Sequence, residues 1–199
     1  MDLPKRKSPR IPGYDYSTVN YYFITICTHE KKCIFGEPGR LNRMGLVAEE
    51  CLLKIPKLHP KIRLDKYVVM PNHVHAILDV QESGENADLN VIIGQYKMAV
   101  TKRIRELKPG FEVWQRSYHD HVIRNQSRYE RIWSYIEDNP RKWEEDCFYM
   151  TTEQNERLRE GQFSSGMIAT GNHCYFDSLR GAPRPAEHCF VCAQRPANS

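Results

Sequence analysis

Residues 67–80 read YVVMPNHVHAILDV, and this stretch decides the fold. Two apolar runs rich in Val, Ile and Leu flank Pro71-Asn72, so the pattern predicts two antiparallel strands joined by a tight turn. Because side chains alternate across a strand, His73 and His75 project from the same face. Two neighbouring imidazoles provide half of a metal site, since neutral His is a common metal ligand. The alternative is a polar sheet face that carries two His by chance.

Further strands and helices are predicted on both sides of this hairpin. An aromatic and β-branched run predicts a strand over Tyr21–Thr28. Apolar residues at helical spacing predict three helices. They run from about Leu46 to Pro56 or Pro60, from Leu89 to Leu107, and from a capping box at Ser127 and Glu130 to Asn139-Pro140. Short extended segments are expected over Phe111–Trp114 and Tyr118–Ile123.

The order of these elements is strand, helix, strand, strand, helix, strand, helix. This order predicts an α+β fold, in which helices pack on one face of an antiparallel sheet in a ferredoxin-like arrangement. We assign residues 1–150 to this domain and expect its first 20 residues to form a basic arm. Residues 151–199 are rich in Gly, Ser, Pro and Asn, and we expect a loosely structured tail.

Composition narrows the class of protein. Of 199 residues, 40% are hydrophobic and 27% are charged, which is typical of a globular protein. No apolar run reaches the ~20 residues of a membrane span, and the basic N-terminus lacks a signal-peptide core, so we expect a cytoplasmic location and no membrane partner. The seven cysteines do not resemble a secreted disulfide framework. A net charge of +4 permits a polyanionic partner without requiring one.

The tail contains a weak candidate for a second metal site. Cys189 and Cys192 have zinc-knuckle spacing, and the preceding His and Cys of the tail, which holds His173, Cys174 and His188, would complete four ligands. The first half of the motif lacks a CxxC pair. Incidental thiols in a surplus tail therefore stay the competing interpretation.

The third predicted helix offers groups that would complete the site at the His pair. Tyr135 and Asn139 are four residues apart, so they lie one turn apart on the same helix face. If that face covers His73 and His75, the Asn139 amide becomes a third ligand and the Tyr135 hydroxyl points at whatever the metal holds. The competing interpretation of Tyr135 is an aromatic anchor that packs the helix on the sheet.

Several spaced motifs resemble a known family. The His-hydrophobic-His pair within Val68–Leu78 resembles the HUH endonucleases. The segments Trp114-Gln115-Arg116, Asp120-His121-Val122-Ile123-Arg124 and Tyr135-Ile136, followed by Asn139-Pro140, are similar to the single-tyrosine transposases, and most of all to the REP-associated tyrosine transposases. The resemblance covers roughly Tyr14 to Glu145 and leaves the tail outside.

The resemblance implies an HUH-type fold that cleaves and rejoins single-stranded DNA. It assigns His73 and His75 to the metal, Tyr135 to the nucleophile, and Asn139 to the helix residue that helps hold the metal. It also implies a divalent ion such as magnesium or manganese, a hairpin next to the cleavage site, a link to REP palindromes, and a homodimer. A free phenol, with a pKa near ~10, is a poor nucleophile at neutral pH, and a divalent ion would favour the phenolate and activate the phosphate.

Basic residues are candidate contacts with the DNA phosphate backbone, because Lys and Arg supply most of a protein's affinity for it. We expect DNA contacts from Lys5, Arg6, Lys7, Arg10, Lys97, Lys102, Arg103, Arg116, Arg124 and Arg128. The competing interpretation is a set of solvated surface charges. Trp114 and Tyr118 would either stack on unpaired bases or belong to the core.

Other residues and functions compete with this assignment. Tyr96 and Tyr129 are the rival nucleophiles, but Tyr96 lacks a polar partner four residues on and Tyr129 lies too far along its helix from Asn139. His119 and His121 also share a strand face, but Asp120 between them is polar where the family pair has an apolar residue. A non-catalytic, domesticated hairpin-DNA binder is the main alternative function. A nucleotide hydrolase with three alternating His would require a His at the position of Ile77.

Overall fold

The fold comprises six strands and five α-helices within residues 13–84 and 87–159, the part of the chain that the computed structural model describes. The strands are β1 (Asn20–Cys27), β2 (Gly36–Glu37), β3 (Arg40–Leu41), β4 (Ile62–Met70), β5 (His73–Val80) and β6 (His119–Ile123). The helices are α1 (Arg43–Leu53), α2 (Ile55–Leu58), α3 (Leu89–Leu107), α4 (Gln126–Asp138) and α5 (Thr152–Arg159). Among these helices, none combines the length and apolar character that a membrane span requires.

Four strands form one antiparallel sheet in the order β4-β5-β1-β6. The predicted hairpin around Pro71-Asn72 joins β4 to β5. Strand β5 lies beside β1 in a register that places Thr25 opposite His75 and Cys27 opposite His73. Because partners across a ladder share a face, Thr25 lies on the same face as the two imidazoles. The short β2–β3 hairpin forms a separate sheet.

Helices pack on both faces of the sheet. Helices α1 and α3 bury an apolar layer against side chains such as Ile24, Val74 and Ala76. Helix α4 covers the other face, where Ile132 and Ile136 contact the cluster that contains Phe23 and Ile77. The α+β class with an antiparallel sheet is confirmed, but the helices are divided between the two faces. The reason is that β1 and β5 are buried on both sides, so each face requires its own apolar cover.

The ends of several elements differ from expectation. The predicted capping box at Ser127 and Glu130 is wrong, because Asn125 is the N-cap and accepts a hydrogen bond from the Arg128 backbone N–H at 2.9 Å. Asn is as good an N-cap as Ser, and the N-cap of α4 lies two residues before Ser127. Strand β4 begins at Ile62, five residues before the apolar run. It is an edge strand, and its charged residues keep that edge solvated.

The start of the predicted loose tail is helical. Helix α5 spans Thr152–Arg159 and returns to the domain, where Leu158 is buried and the Asn155 side chain accepts a hydrogen bond from the Cys33 backbone N–H at 3.0 Å. The expectation of loose structure is therefore wrong for these residues. The rest of the tail, including the candidate zinc ligands, lies outside the described residues.

Gly45 in the first turn of α1 permits a close approach between backbone segments. A Cβ atom at this position would lie 2.3 Å from the carbonyl oxygen of Phe35, which also accepts a hydrogen bond from Asn42. Since the Phe35 carbonyl and the Asn42 N–H are both backbone groups, neither moves without distorting the turn that leads into α1. Gly94 in α3 has no atom within 4 Å of an added Cβ.

We predict that Gly45→Ala lowers the free energy of unfolding by at least about 1 kcal/mol, because the methyl group overpacks the turn. Gly94→Ala should raise it by about 0.5–1 kcal/mol, because Ala is the better helix former and the site is open. Urea unfolding at pH 7 measures both. A neutral or stabilising effect of Gly45→Ala would contradict the close approach.

A candidate metal and tyrosine site

His73 and His75 form a buried imidazole pair on β5. Both side chains are fully buried, and their ring centroids are 4.3 Å apart. Phe23 and Phe148 pack against the pair, with ring centroids 5.1 Å from His75 and 4.7 Å from His73 respectively. The two rings therefore lie in an apolar pocket beneath α4, rather than on a solvated sheet face.

Neighbouring side chains orient both rings. The Asn72 amide nitrogen donates to the carbonyl oxygens of Lys31 and Phe148, so its oxygen faces His73 Nδ1 at 2.9 Å. Because that oxygen only accepts, His73 Nδ1 carries the hydrogen and Nε2 keeps its lone pair. His75 Nδ1 lies 2.7 Å from the Thr25 hydroxyl. That hydroxyl donates or accepts, so it supports either tautomer of His75.

Burial keeps the pair uncharged. It lowers the pKa of His73 to about 4, with a smaller contribution from Lys31, and Asp146 and Asn139 partly oppose this shift. Burial, with a contribution from His73, lowers the pKa of His75 well below its ordinary value. Both imidazoles are therefore neutral at pH 7, the state in which a His binds a metal ion.

Helix α4 and its C-cap Asn139 place Tyr135 and Asn139 above the imidazole pair, on the shared helix face that their spacing predicted. The Tyr135 hydroxyl oxygen lies 3.2 Å from His75 Nε2. The same hydroxyl donates to Asp146 Oδ2 at 2.9 Å, and the Asn139 amide nitrogen donates to that oxygen at 2.5 Å. The four predicted residues therefore converge on one buried location.

Asp146 is the member of this cluster that the sequence analysis did not identify. It is buried in the turn that follows the 3₁₀ helix Trp143–Glu145, and its Oδ1 accepts a hydrogen bond from the Phe148 backbone N–H at 2.7 Å. The carboxylate belongs to no local pattern. Glu144 and Glu145 precede it directly, so the sequence does not distinguish it from surface acids.

The donor atoms fit a divalent cation. One ligand atom each from His73, His75 and Asp146 lie within 4.8 Å of one another. His73 Nε2 and Asn139 Oδ1 are buried and have no hydrogen-bond partner among residues 13–84 and 87–159. Unsatisfied buried polar atoms are costly, and a cation between them would supply the missing interaction. Imidazole nitrogens with amide and carboxylate oxygens suit magnesium or manganese and also accept zinc, so the donor set does not select one metal.

The cations on α3 do not flank this location. Lys97 Nζ donates to the backbone carbonyl oxygens of residues 115–117, at 2.7–3.4 Å. Arg103 pairs with Glu50 on α1 at 2.7 Å. Helix α3 packs on the face opposite the His pair, so these two cations lie away from the site, and their contact with DNA stays a prediction.

The remaining cations lie in three places. Lys102 and Arg116 are exposed and line an open groove of about 820 Å³ between α3 and the segment before β6. Arg124 is exposed just before α4, and Arg128 in its first turn lies on the same face as the His pair. Lys5, Arg6, Lys7 and Arg10 lie outside the described residues.

The other aromatic candidates have structural contacts. The Tyr96 hydroxyl is buried and donates to the Ala48 carbonyl, and the Tyr129 hydroxyl donates to Asp65 at 2.5 Å. Tyr118 is buried in the core and its hydroxyl donates to Asn90, so of the two alternatives for this residue the core position is the one observed. Trp114 is partly buried, and its indole N–H donates to the Lys97 carbonyl.

Comparisons with known proteins identify the family of this chain. The family described as "Transposase IS200 like" matches residues 15–139, which include both His, Tyr135 and Asn139. An uncharacterised protein of Haemophilus influenzae Rd is 34% identical over 168 residues, which cover 73% of this chain and 93% of that protein.

Two solved structures are similar to the fold. One is a REP-associated tyrosine transposase bound to a REP hairpin, with 20% identity, a TM-score of 0.52, and coverage of 87% of this chain and 98% of that chain. The other is a candidate transposase from Deinococcus radiodurans R1, with 19% identity, a TM-score of 0.44, and coverage of 65% and 95%. The first shares the α+β fold of this chain.

His121 gives a test of the electrostatics beside the site. It lies on β6 and contacts the Arg128 guanidinium at 3.2 Å. Burial, with Arg128 and Arg124, lowers its pKa to about 4. Between pH 6.5 and pH 4 the unfolded chain binds a proton at this residue and the folded chain does not, so the free energy of unfolding falls as the pH falls.

We predict that lowering the pH from 7 to 5 costs the unmutated protein up to about 2 kcal/mol more stability than it costs His121→Gln. Urea unfolding of both proteins at the two pH values measures the difference, in which the contributions of all other titrating groups cancel. Equal losses would show that His121 does not titrate in this way.

Proposed function

This chain belongs to the IS200-like transposase family, and from that membership we propose that it cleaves and rejoins single-stranded DNA through Tyr135. Membership supports a transposase-like role in DNA processing. The observation that carries the more specific proposal is the position of the Tyr135 hydroxyl, 3.2 Å from the nitrogen of a buried, neutral imidazole pair. An aromatic residue that only anchored the helix would not need its hydroxyl at that location.

In the proposed reaction, the Tyr135 hydroxyl oxygen attacks the phosphorus of a phosphodiester in line with the bond to the 3′ oxygen. The oxygen–phosphorus bond to Tyr135 forms as the phosphorus–O3′ bond breaks. The products are a 5′-phosphotyrosine and a free 3′-hydroxyl. The phenol loses one proton and the leaving 3′ oxygen gains one. Because the phosphoester is retained, a 3′-hydroxyl reverses the reaction and joins the strands without a nucleotide cofactor.

His73, His75 and Asn139 are the proposed ligands of a divalent ion, magnesium or manganese. When bound, such an ion would draw charge from a non-bridging phosphate oxygen and orient the phosphorus for attack. The residues prepare this location themselves. Asn72 and Thr25 hold the imidazoles, and burial keeps them neutral. All these groups come from one chain, so the proposed site does not need a second subunit. A homodimer stays a prediction.

The proposed substrate is single-stranded DNA next to a hairpin. The solved relative bound to a REP hairpin supports this choice, since its fold is shared. Arg124 and Arg128 at the start of α4 are the cations best placed for the strand that enters the site. Lys102 and Arg116, which line the groove beside α3, are the proposed contacts of a duplex stem.

We predict that Tyr135→Phe lowers the rate of covalent DNA attachment at least about a thousandfold, because the nucleophilic oxygen is removed. The assay mixes the protein and manganese with hairpin oligonucleotides from the repeated palindromes of its genome, each with single-stranded flanks. A 3′-end label should move with the protein on a denaturing gel, and a 5′-end label should appear on a shorter fragment.

Tyr129→Phe is the matched control, because it removes a hydroxyl from the same helix away from the His pair. It should keep the adduct. An unmutated protein that shifts the hairpin on a native gel and never forms an adduct would contradict the reaction, and would favour the non-catalytic hairpin binder.

We predict that Thr25→Val lowers manganese affinity by about ten- to a hundredfold, the usual effect of removing the hydrogen-bond partner of a metal-ligating His. Val has nearly the same shape, but it removes the acceptor for the Nδ1–H that His75 carries when its Nε2 is free to bind a metal. Isothermal titration calorimetry measures the affinity. Thr101→Val on α3, where the hydroxyl bonds to the Lys97 carbonyl, should bind manganese like the unmutated protein. Equal affinity in Thr25→Val would contradict an orienting role of the Thr25 hydroxyl for a metal-bound His75.

A further inference from the structure

We infer that Asp146 is a positioning residue that turns the Asn139 amide so that its oxygen, and not its nitrogen, faces the His pair. This inference rests on the proposed function, because it assigns the role of Asn139 toward the metal ion. It also adds to the site a residue from outside α4 and outside residues 15–139, the range of the family match.

Asp146 is held rigidly by its own contacts. Its side chain is 5% exposed. Oδ1 accepts the Phe148 backbone N–H at 2.7 Å, so this oxygen is fixed in the turn. Oδ2 accepts two hydrogen bonds, from the Tyr135 hydroxyl at 2.9 Å and from Asn139 Nδ2 at 2.5 Å. One carboxylate oxygen therefore contacts both polar residues that α4 brings to the site.

The polarity of these bonds determines the direction of the amide. An Asn side chain is nearly symmetric in shape, so packing alone does not choose between its two orientations. A carboxylate accepts hydrogen bonds and does not donate them, which forces Asn139 Nδ2 toward Asp146. Asn139 Oδ1 then faces away from Asp146. It is buried without a partner among the described residues, as is His73 Nε2.

The orientation of this amide decides what it offers to a cation. In the opposite orientation, the amide would present N–H groups to a cation and to the lone pair of His73. That arrangement repels a metal ion, so the contact with Asp146 prepares the amide as a ligand.

The same carboxylate oxygen fixes the phenol. The Tyr135 hydroxyl donates its one hydrogen to Asp146 Oδ2 at 2.9 Å, and its oxygen lies 3.2 Å from His75 Nε2. Its aromatic ring packs edge-on against Phe23, with centroids 6.2 Å apart, which leaves rotation of the hydroxyl to the polar partners. Asp146 therefore orders the amide and the phenol together, although it lies in a separate turn of the chain.

Asp146→Asn tests this inference because it reverses polarity and preserves shape. If Oδ1 keeps its bond to the Phe148 backbone, the new amide presents N–H groups to Asn139, whose own amide must then rotate. We expect manganese affinity, measured by calorimetry in the full chain, to fall at least about tenfold, as for other partners of metal ligands. A residue that only packs would tolerate this replacement, so affinity equal to that of the unmutated protein would overturn the inference.

The Asn139→Ala background separates positioning from direct ligation. If Asp146 acts through Asn139, then Asp146→Asn should change manganese affinity by less than about threefold in that background. If Asp146 is itself a ligand, the loss should be equally large in both backgrounds, and that result would overturn the inference.

An exchanged pair guards against loss of folding. In Asn139→Asp combined with Asp146→Asn, the hydrogen bond persists with donor and acceptor reversed, and an oxygen at position 139 again faces the imidazoles. Manganese affinity should return to within about threefold of the original. The inference would be overturned if the folded double variant did not recover its manganese affinity, or if the unmutated protein did not bind manganese. A protein that binds manganese and forms no DNA adduct would instead contradict the proposed reaction. The manganese affinities of the variants would then still test the role of Asp146.

Discussion

The pairing of β1 with β5 is the constraint on which the site depends. Its register sets Thr25 against His75 and Cys27 against His73 on one face of the sheet. The side-chain period of a strand is two residues, so a slip by one would move both imidazoles into the apolar layer under α1 and α3. Val74 and Ala76 occupy that layer, while Phe23 and Ile77 fill the other, so each face selects the same register. The apolar core thereby determines where the polar site lies.

Burial then gives the site its chemistry. Covering the imidazoles with α4 removes them from water, which keeps them neutral at pH 7 and leaves His73 Nε2 and Asn139 Oδ1 without partners in the described part of the chain. Such atoms lower the stability of the fold, and their cost is reduced by the binding of a cation. The hydrogen bonds from Asn72 and Thr25, and those to Asp146, fix the geometry before any ligand arrives. A site arranged in this way loses little entropy when it binds.

The sequence predicted those features that arise from local periodicity. Strand alternation placed the two His on one face, and the spacing of Tyr135 and Asn139 placed them one helical turn apart. The side of the sheet that each helix covers depends on long-range packing, so neither the division of the helices nor the separation of Lys97 and Arg103 from the site followed from the pattern. Asp146 was missed because its role arises from a turn that returns to α4, and an isolated acid carries no periodic signal. The N-cap at Asn125 was missed because two cap sequences compete two residues apart.

The central claim is that one divalent ion binds between the β5 imidazoles and the α4 amide. The most direct measurement is anomalous diffraction at the manganese edge from crystals of the full chain grown with manganese. The account predicts a peak about 2.0–2.3 Å from His73 Nε2, His75 Nε2 and Asn139 Oδ1. A well-ordered Tyr135 and His pair with no anomalous peak between them, at a saturating manganese concentration, would contradict it.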